Sequence, residues 1–212
     1  MTLMIFRILM TFLRMTKLDQ FYWENRYAQG NTGWDIGYPS RPLAEYIDQL
    51  QDKSIKILIP GAGNGYEPIY LYEHGFSNIN VVDLAKKPLK HIKNQIPEFP
   101  KERLIQSDFF EHTGKYDLIL EQTFFCALPP EMRTAYAKKM HSLLNPGGKI
   151  AGVLFDFPLT EKGPPFGGSL NEYKELFTPL FNIRKLEPCY NSIKPRAGSE
   201  LFFIFEKLNT KL

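Results

Sequence analysis

Cysteine and histidine are scarce in this chain, with two of the former and four of the latter in 212 residues. Cys126 and Cys189 cannot build the disulfide framework of a small secreted scaffold, and no C-x-x-C or H-E-x-x-H spacing offers a metal site. Charge of one sign is also lacking. Lys and Arg number 26 against 23 Asp and Glu, a net of +3, and no basic block with interleaved aromatics marks a nucleic-acid partner. Internal repeats and low-complexity tracts are absent. No apolar run reaches the ~20 residues that a bilayer demands, so no membrane role is expected. The nearest approach is MTLMIFRILMTFL at 1–13, which Arg7 interrupts and which lacks the small-residue cleavage site of a secretory signal. Residues 1–16 read as an extension, with Met15 an alternative start. At 43% hydrophobic and 23% charged the remainder is ordinary for one globular domain, expected to be monomeric in a reducing cytoplasm.

Against this background the chain alternates apolar runs with helical patterns. Residues 17–28 read as a short aromatic helix. Ser40, before Arg41-Pro42, reads as the N-cap of a helix reaching about Gln51. Strands are expected at Ile55–Ile59, Asn80–Leu84, Arg103–Gln106 and Tyr116–Glu121, with helices at Tyr66–His74 and Lys87–Gln95. Glu131–Leu144 carries Met132, Tyr136, Met140 and Leu143 on one stripe and stops at Asn145-Pro-Gly-Gly148, ahead of a strand at Lys149–Phe155. Ser169 caps a helix to about Phe177, and strands at Asn182–Glu187 and Glu200–Glu206 close the chain. Five strands joined by helices imply right-handed crossovers and a parallel sheet, while the last two should pair as an antiparallel hairpin at one edge. The fold class is α/β, Rossmann-like, with a seven-stranded sheet and helices on both faces. A ligand belongs at the carboxyl ends of its strands.

The densest signal is Ile-Lys-Ile-Leu-Ile-Pro-Gly-Ala-Gly-Asn-Gly at 55–65, read with Asp83. An apolar strand running into glycines and then a helix lets backbone approach a ligand where side chains would collide. Gly61, Gly63 and Gly65 supply that freedom. Asp83 ends the next apolar run, about the ~20 residues onward at which Rossmann-type sites place a ribose-gripping acid. The spacing is G-x-G-x-G rather than the G-x-G-x-x-G of dinucleotide enzymes, which turns the expectation from NAD toward S-adenosylmethionine (SAM). Asp108, Phe109 and Phe110 follow the third strand, where adenine could lie. The run from Glu121 to Phe125 follows the fourth and would face the methionine end. A turn cap for Asp108, plain core for Phe109 and Phe110, and an ordinary strand-end residue for Gln122 are the structural alternatives. Cys126, in an apolar run, reads as a small buried hydrophobe.

Six motifs occur in order: Trp23-Glu24-x-x-Tyr27, Gly33-Trp34-Asp35-x-Gly37, Ile59-Pro60-Gly61-x-Gly63-x-Gly65, Ser107-Asp108-Phe109-Phe110, Phe124-Phe125-Cys126-Ala127-x-x-Pro130-Glu131-Met132-Arg133, and Gly163-Pro-Pro-Phe166. Together they resemble the thiopurine methyltransferase superfamily, most of all its thiol/halide methyltransferase branch. The resemblance runs from about residue 18 to the end. It implies a class I methyltransferase whose cofactor SAM is lined by Trp23, Tyr27, Trp34, Gly61, Asp83, Asp108, Phe109 and Gln122. Gln122 stands where thiopurine enzymes have Arg, and Tyr27 where plant members often have Trp. Residues 17–37 would form an aromatic lid, since Trp and Tyr faces attract a sulfonium cation. The acceptor would be a small molecule with a soft nucleophile, a thiol, hydrosulfide or halide, in an apolar pocket walled by Tyr22, Phe124 and Phe166. No His–Asp or Lys–Asp pair announces a general base, and no Asn-Pro-Pro-Tyr motif follows the fourth strand. Methylation at oxygen or nitrogen, and SAM binding without turnover, remain as alternatives.

Overall fold

Short runs of aliphatic residues with little polar alternation belong to strands covered on both faces, and this governs the centre of the molecule. In the computed structural model, which describes residues 18–208, β1 (Ile57–Pro60) and β2 (Ile79–Asp83) are buried almost throughout. The extension expected at 1–16 lies outside the described residues. The remaining strands are β3 (Leu104–Gln106), β4 (Tyr116–Gln122), β5 (Leu144–Phe155), β6 (Phe181–Pro188) and β7 (Glu200–Lys207). They form one seven-stranded sheet in the order β3-β2-β1-β4-β5-β7-β6. The first five are parallel, and β7 runs antiparallel to both neighbours, so the terminal hairpin is present with its second strand inserted beside β5.

The alternation of side chains across the sheet sorts the core into two layers. Leu58, Ile119, Ile150 and Phe205 point to one face, beneath α5 (Arg133–Leu143) and α6 (Leu170–Phe177), where Tyr136, Met140 and Phe177 meet them. Ile57, Ile59, Leu118 and Leu120 point to the other, beneath α2 (Arg41–Asp48), α3 (Tyr66–Glu73) and α4 (Lys86–Gln95), where Leu43, Leu71 and Ile92 meet them. The remaining α-helix of the described residues, α1 (Gln20–Ala28), starts at Asp19, whose carboxylate accepts from the Tyr22 N–H. No described helix is long and apolar enough to cross a membrane.

Ser40 is the N-cap of α2, with Pro42 in the first turn; it makes no side-chain cap, and its backbone N–H donates to Glu67 Oε1 at 2.9 Å. Two local expectations are corrected. Among the described residues no helix joins β3 to β4, because Asp108 Oδ1 accepts from the Phe110 N–H and closes a tight turn there. The Asn145-Pro-Gly-Gly148 turn does not precede β5 but sits within it: Leu144 pairs with Tyr116, the register shifts, and pairing resumes at Leu118 with Lys149. Asn145 Nδ2 donates to Asp117 Oδ1 at 2.7 Å, which anchors this bulge.

The β4–β5 seam is tight at Gly152. A Cβ there would lie 2.1 Å from the Glu121 carbonyl oxygen and 2.6 Å from Glu121 Cβ. Gly152→Ala therefore forces these strands apart, and urea unfolding should show a loss of about 1–3 kcal/mol, the scale of an overpacked core. An unchanged midpoint would contradict the tight seam.

Candidate active site

The carboxyl ends of β1, β2 and β4 open into a cleft of about 960 Å³, near the top of the ~300–1,000 Å³ range of small-molecule sites. Its floor is the glycine turn. Gly61 N–H donates to the Val82 carbonyl at 2.8 Å, and the three glycines have φ of +69°, +54° and +79°. Gly61 and Gly63 line the cleft, and Gly63 leaves its face open, with only the Trp34 ring nearby at 3.9 Å from a built Cβ. Gly65, read with them, does not reach the cleft: a Cβ there would meet Ile92 at 2.4 Å, so its smallness serves the packing of α4.

Asp83 ends β2 on the cleft wall. Its Oδ2 accepts from Ala62 N–H at 2.8 Å and its Oδ1 from Ala85 N–H at 2.7 Å, leaving a lone pair on each oxygen free for a further donor. Burial pushes its pKa up to about 6, against the lowering effect of these two bonds, and the Glu24 charge adds to the rise.

Residues 18–37 cover the same opening. Trp23 and Tyr27 both meet Trp34 edge-on, at 5.6 and 5.5 Å, and all three line the cleft. Tyr27 OH donates to the Gly63 carbonyl at 3.1 Å, Lys87 Nζ donates to the Tyr27 carbonyl at 2.9 Å, and Lys86 N–H donates to Glu24 Oε1 at 2.9 Å. Burial, with help from Asp83, drives the Tyr27 hydroxyl well above its ordinary range and keeps it a neutral donor.

Beyond β3, Asp108 is exposed on the cleft wall while capping its own turn; Phe109 is buried core with a face at the cleft, and Phe110 stands beside it. Beyond β4, Gln122 lines the cleft with its Oε1 buried and unpartnered. Phe124 lies across Gly61 and edge-on to Phe109 at 5.1 Å.

Three sequence readings are corrected here. Tyr22 packs edge-on to Trp23 outside the cleft wall. Phe166 is buried behind the wall, its N–H donating to the Cys126 carbonyl, and Pro164 and Pro165 take its place on the surface. Glu121 turns away from the cleft, fully buried. Sequence reasoning missed Arg196, whose guanidinium donates to the Trp34 carbonyl at 3.1 Å and pairs with Glu200 at 3.5 Å. No spacing could reveal it, since 162 positions separate Arg196 from Trp34. Leu128, Pro129, Glu131 and Met132 complete that end of the cleft. Among the described residues no group of three or more His, Cys, Asp or Glu could hold a metal ion.

Residues 18–210 match the sequence model of thiopurine S-methyltransferases. The chain belongs to the thiopurine S-methyltransferase family. It is therefore a SAM-dependent methyltransferase. Among members of known name, a probable thiol methyltransferase 2 of Arabidopsis thaliana is 29% identical over 89% of this chain and 85% of its own. A thiocyanate methyltransferase 1 of Brassica oleracea is 27% identical, over 88% and 85%. A thiopurine S-methyltransferase of Vibrio cholerae is 28% identical, over 87% and 94%. In fold the chain resembles the 1,6-didemethyltoxoflavin-N1-methyltransferase of Burkholderia thailandensis, solved with S-adenosylhomocysteine, at a TM-score of 0.73 and 20% identity over 90% and 87% of the two chains.

This family member carries a titration buried in its frame. Burial raises the Glu121 pKa from 4.5 to about 7. A carboxyl raised on folding favours the native state while protonated. That contribution is complete below about pH 4.5 and is lost as pH rises through about 7. The wild type should therefore lose on the order of 2–3 kcal/mol relative to Glu121→Gln between pH 4.5 and 8. Parallel stability curves for the two proteins in urea would contradict it.

Proposed function

We propose that the chain transfers the methyl group of SAM to a small soft nucleophile, a thiol first, with hydrosulfide or a halide as further acceptors, and that the cleft at the strand ends is where it does so. Bound SAM supplies a methyl group activated by its sulfonium; the residues of the chain must hold, orient and dry the two reactants. In this reading Asp83 accepts from the ribose hydroxyls with its two free lone pairs. Gly63, with its face open, allows close backbone approach, and Gly61 borders the same wall beneath Phe124. Gln122 Oε1, a buried acceptor without a donor, takes the amino group of the methionine end. Asp108, Phe109 and Phe110 hold the adenine, and Trp23, Tyr27 and Trp34 close over the sulfonium as a lid.

The observation that carries the acceptor class is the composition of the far end of the cleft. Leu128, Met132, Phe155, Pro164 and Pro165 make it largely apolar, Arg196 lies there paired with Glu200, Glu131 is the carboxylate among them, and no His or Lys lines any part of it. An amine or phenol needs its proton removed, and a carboxylate is a weaker base for that task than His or Lys. A thiolate or halide arrives as an anion. Desolvation among apolar walls raises its nucleophilicity. The relatives named for thiols, thiocyanate and thiopurines support the same class.

Loss of a charge-assisted hydrogen bond costs about 1.5–3 kcal/mol, so Asp83→Asn should weaken SAM by that amount in calorimetry. Amide exchange over residues 18–37 should slow when S-adenosylhomocysteine is added. Undiminished affinity in the folded variant would remove Asp83 from the ribose, and equal exchange with and without ligand would make the segment a fixed wall.

The acceptor class is tested by methyl-product formation across thiols, iodide, phenols and amines. Thiols should turn over with a rate that climbs toward their own pKa, ~8.5 for an ordinary thiol, and iodide should lack that rise. Efficient amine methylation without thiol activity would overturn the proposal. Tight SAM binding without any turnover would leave a binding protein.

A further inference from the structure

Glu121 is a buried carboxylate with no part in the reading above. It stands one residue before the end of β4 and does not border the cleft. Its Oε1 accepts from two successive backbone N–H groups, Phe124 at 2.8 Å and Phe125 at 2.9 Å. Its Oε2 accepts from the Tyr136 hydroxyl of α5 at 2.7 Å. On the neighbouring strand Gly152 makes the room that Glu121 occupies, as a Cβ there would lie 2.6 Å from Glu121 Cβ.

The turn that this carboxylate closes has an unusual backbone. Thr123 has φ of +58°, and it is the one non-glycine residue with positive φ among the described residues. A β-branched residue is disfavoured in that region and stays there only where its surroundings over-determine it. Two N–H groups converging on one oxygen are such a surrounding. From the same turn Gln122, Thr123 and Phe124 face the cleft. Phe124 also presses on the glycine turn: a Cβ on Gly61 would lie 2.5 Å from its ring.

We propose that Glu121 is a positioning residue for methyl transfer: by holding the Phe124 and Phe125 N–H groups, and being held by Tyr136, it sets the turn from which Gln122, Thr123 and Phe124 align the two reactants. The alignment rests on the functional reading above; the clamp itself does not. Acting from behind the turn, Glu121 cannot exchange a proton with the acceptor. The titratable groups that face it are the Tyr136 hydroxyl from α5 and the Cys126 thiol from the turn, both pushed up by burial and neutral near pH 7. Gly152 from β5 brings no charge. Ionised, Glu121 makes charge-assisted bonds, which are the stronger kind. With its own pKa raised to about 7, the clamp should tighten as pH rises through neutrality.

The test compares the full-length wild type with Glu121→Gln and Tyr136→Phe. Folding is checked by urea unfolding, SAM affinity by calorimetry, and kcat and KM with a thiol. The pH profile of kcat is taken at saturating SAM with iodide, which has no proton to lose. Glu121→Gln, which keeps an oxygen for the two N–H groups but loses the charge, should fold and bind SAM with less change in affinity than in kcat. Its kcat at pH 8 should fall by about tenfold or more, within the ~100-fold range of small misplacements. The rise near pH 7 in the iodide profile should vanish in Glu121→Gln and move to higher pH in Tyr136→Phe, which removes a donor from the carboxylate. Unchanged kcat in folded Glu121→Gln, or a rise near pH 7 that survives in it, would overturn the proposal. Should no acceptor turn over, the functional reading fails, and amide exchange over residues 122–126 in the S-adenosylhomocysteine complex judges the clamp. Faster exchange in Glu121→Gln would support the clamp, and equal exchange would refute it.

Discussion

The hydrogen bond from the Ala62 N–H to Asp83 ties the glycine turn to the end of the neighbouring strand, and the floor of the cleft depends on it. Backbone groups leaving a parallel sheet need partners. Here one carboxylate serves both strand ends, taking Ala62 from the turn after β1 and Ala85 from the entry to α4. Ionisation strengthens those bonds, yet burial resists it. The same residue is thus a structural tie and an acceptor on the cleft wall. A second carboxylate, Glu121, repeats the device after β4. Both loops that frame the cleft are held by acids whose pKa values burial has raised.

The sheet was legible because its causes are local. Ile57–Pro60 and Ile79–Asp83 are aliphatic runs bounded by glycine or polar residues, and no other element suits them. The hairpin of β6 and β7 followed from the lack of a helical pattern between them. The bulge at Asn145–Gly148 was not legible, because Leu144 joins β5 through a pairing with Tyr116, a contact between distant segments. The bond that anchors the N-cap Ser40 was hidden for the same reason: a buried Glu67, 27 residues away, accepts from its N–H.

The cleft divides along similar lines. Gly61, Gly63 and Asp83 sit within one strand–turn–helix unit, and their spacing carries the signal. Trp23 and Trp34 came from resemblance, Gln122 from its place after the fourth strand as well, and all reach the cleft wall. Tyr22 and Phe166 came from being aromatic and near the right motifs, which says nothing about the direction of a side chain. Tyr22 lies on the outer side of α1's Trp23, and Phe166 is drawn inward by its bond to Cys126. Arg196 was invisible because only the fold brings the loop before β7 beneath Trp34. The Pro164-Pro165 segment and Arg196 likewise reach the cleft from loops far along the chain.

In a crystal structure with S-adenosylhomocysteine the ligand should lie in the cleft at the ends of β1, β2 and β4, with its ribose hydroxyls on Asp83, its amino group on Gln122 Oε1 and its sulfur beneath Trp23 and Trp34. Ligand density elsewhere, or a ribose that leaves Asp83 without a bond, would contradict this placement.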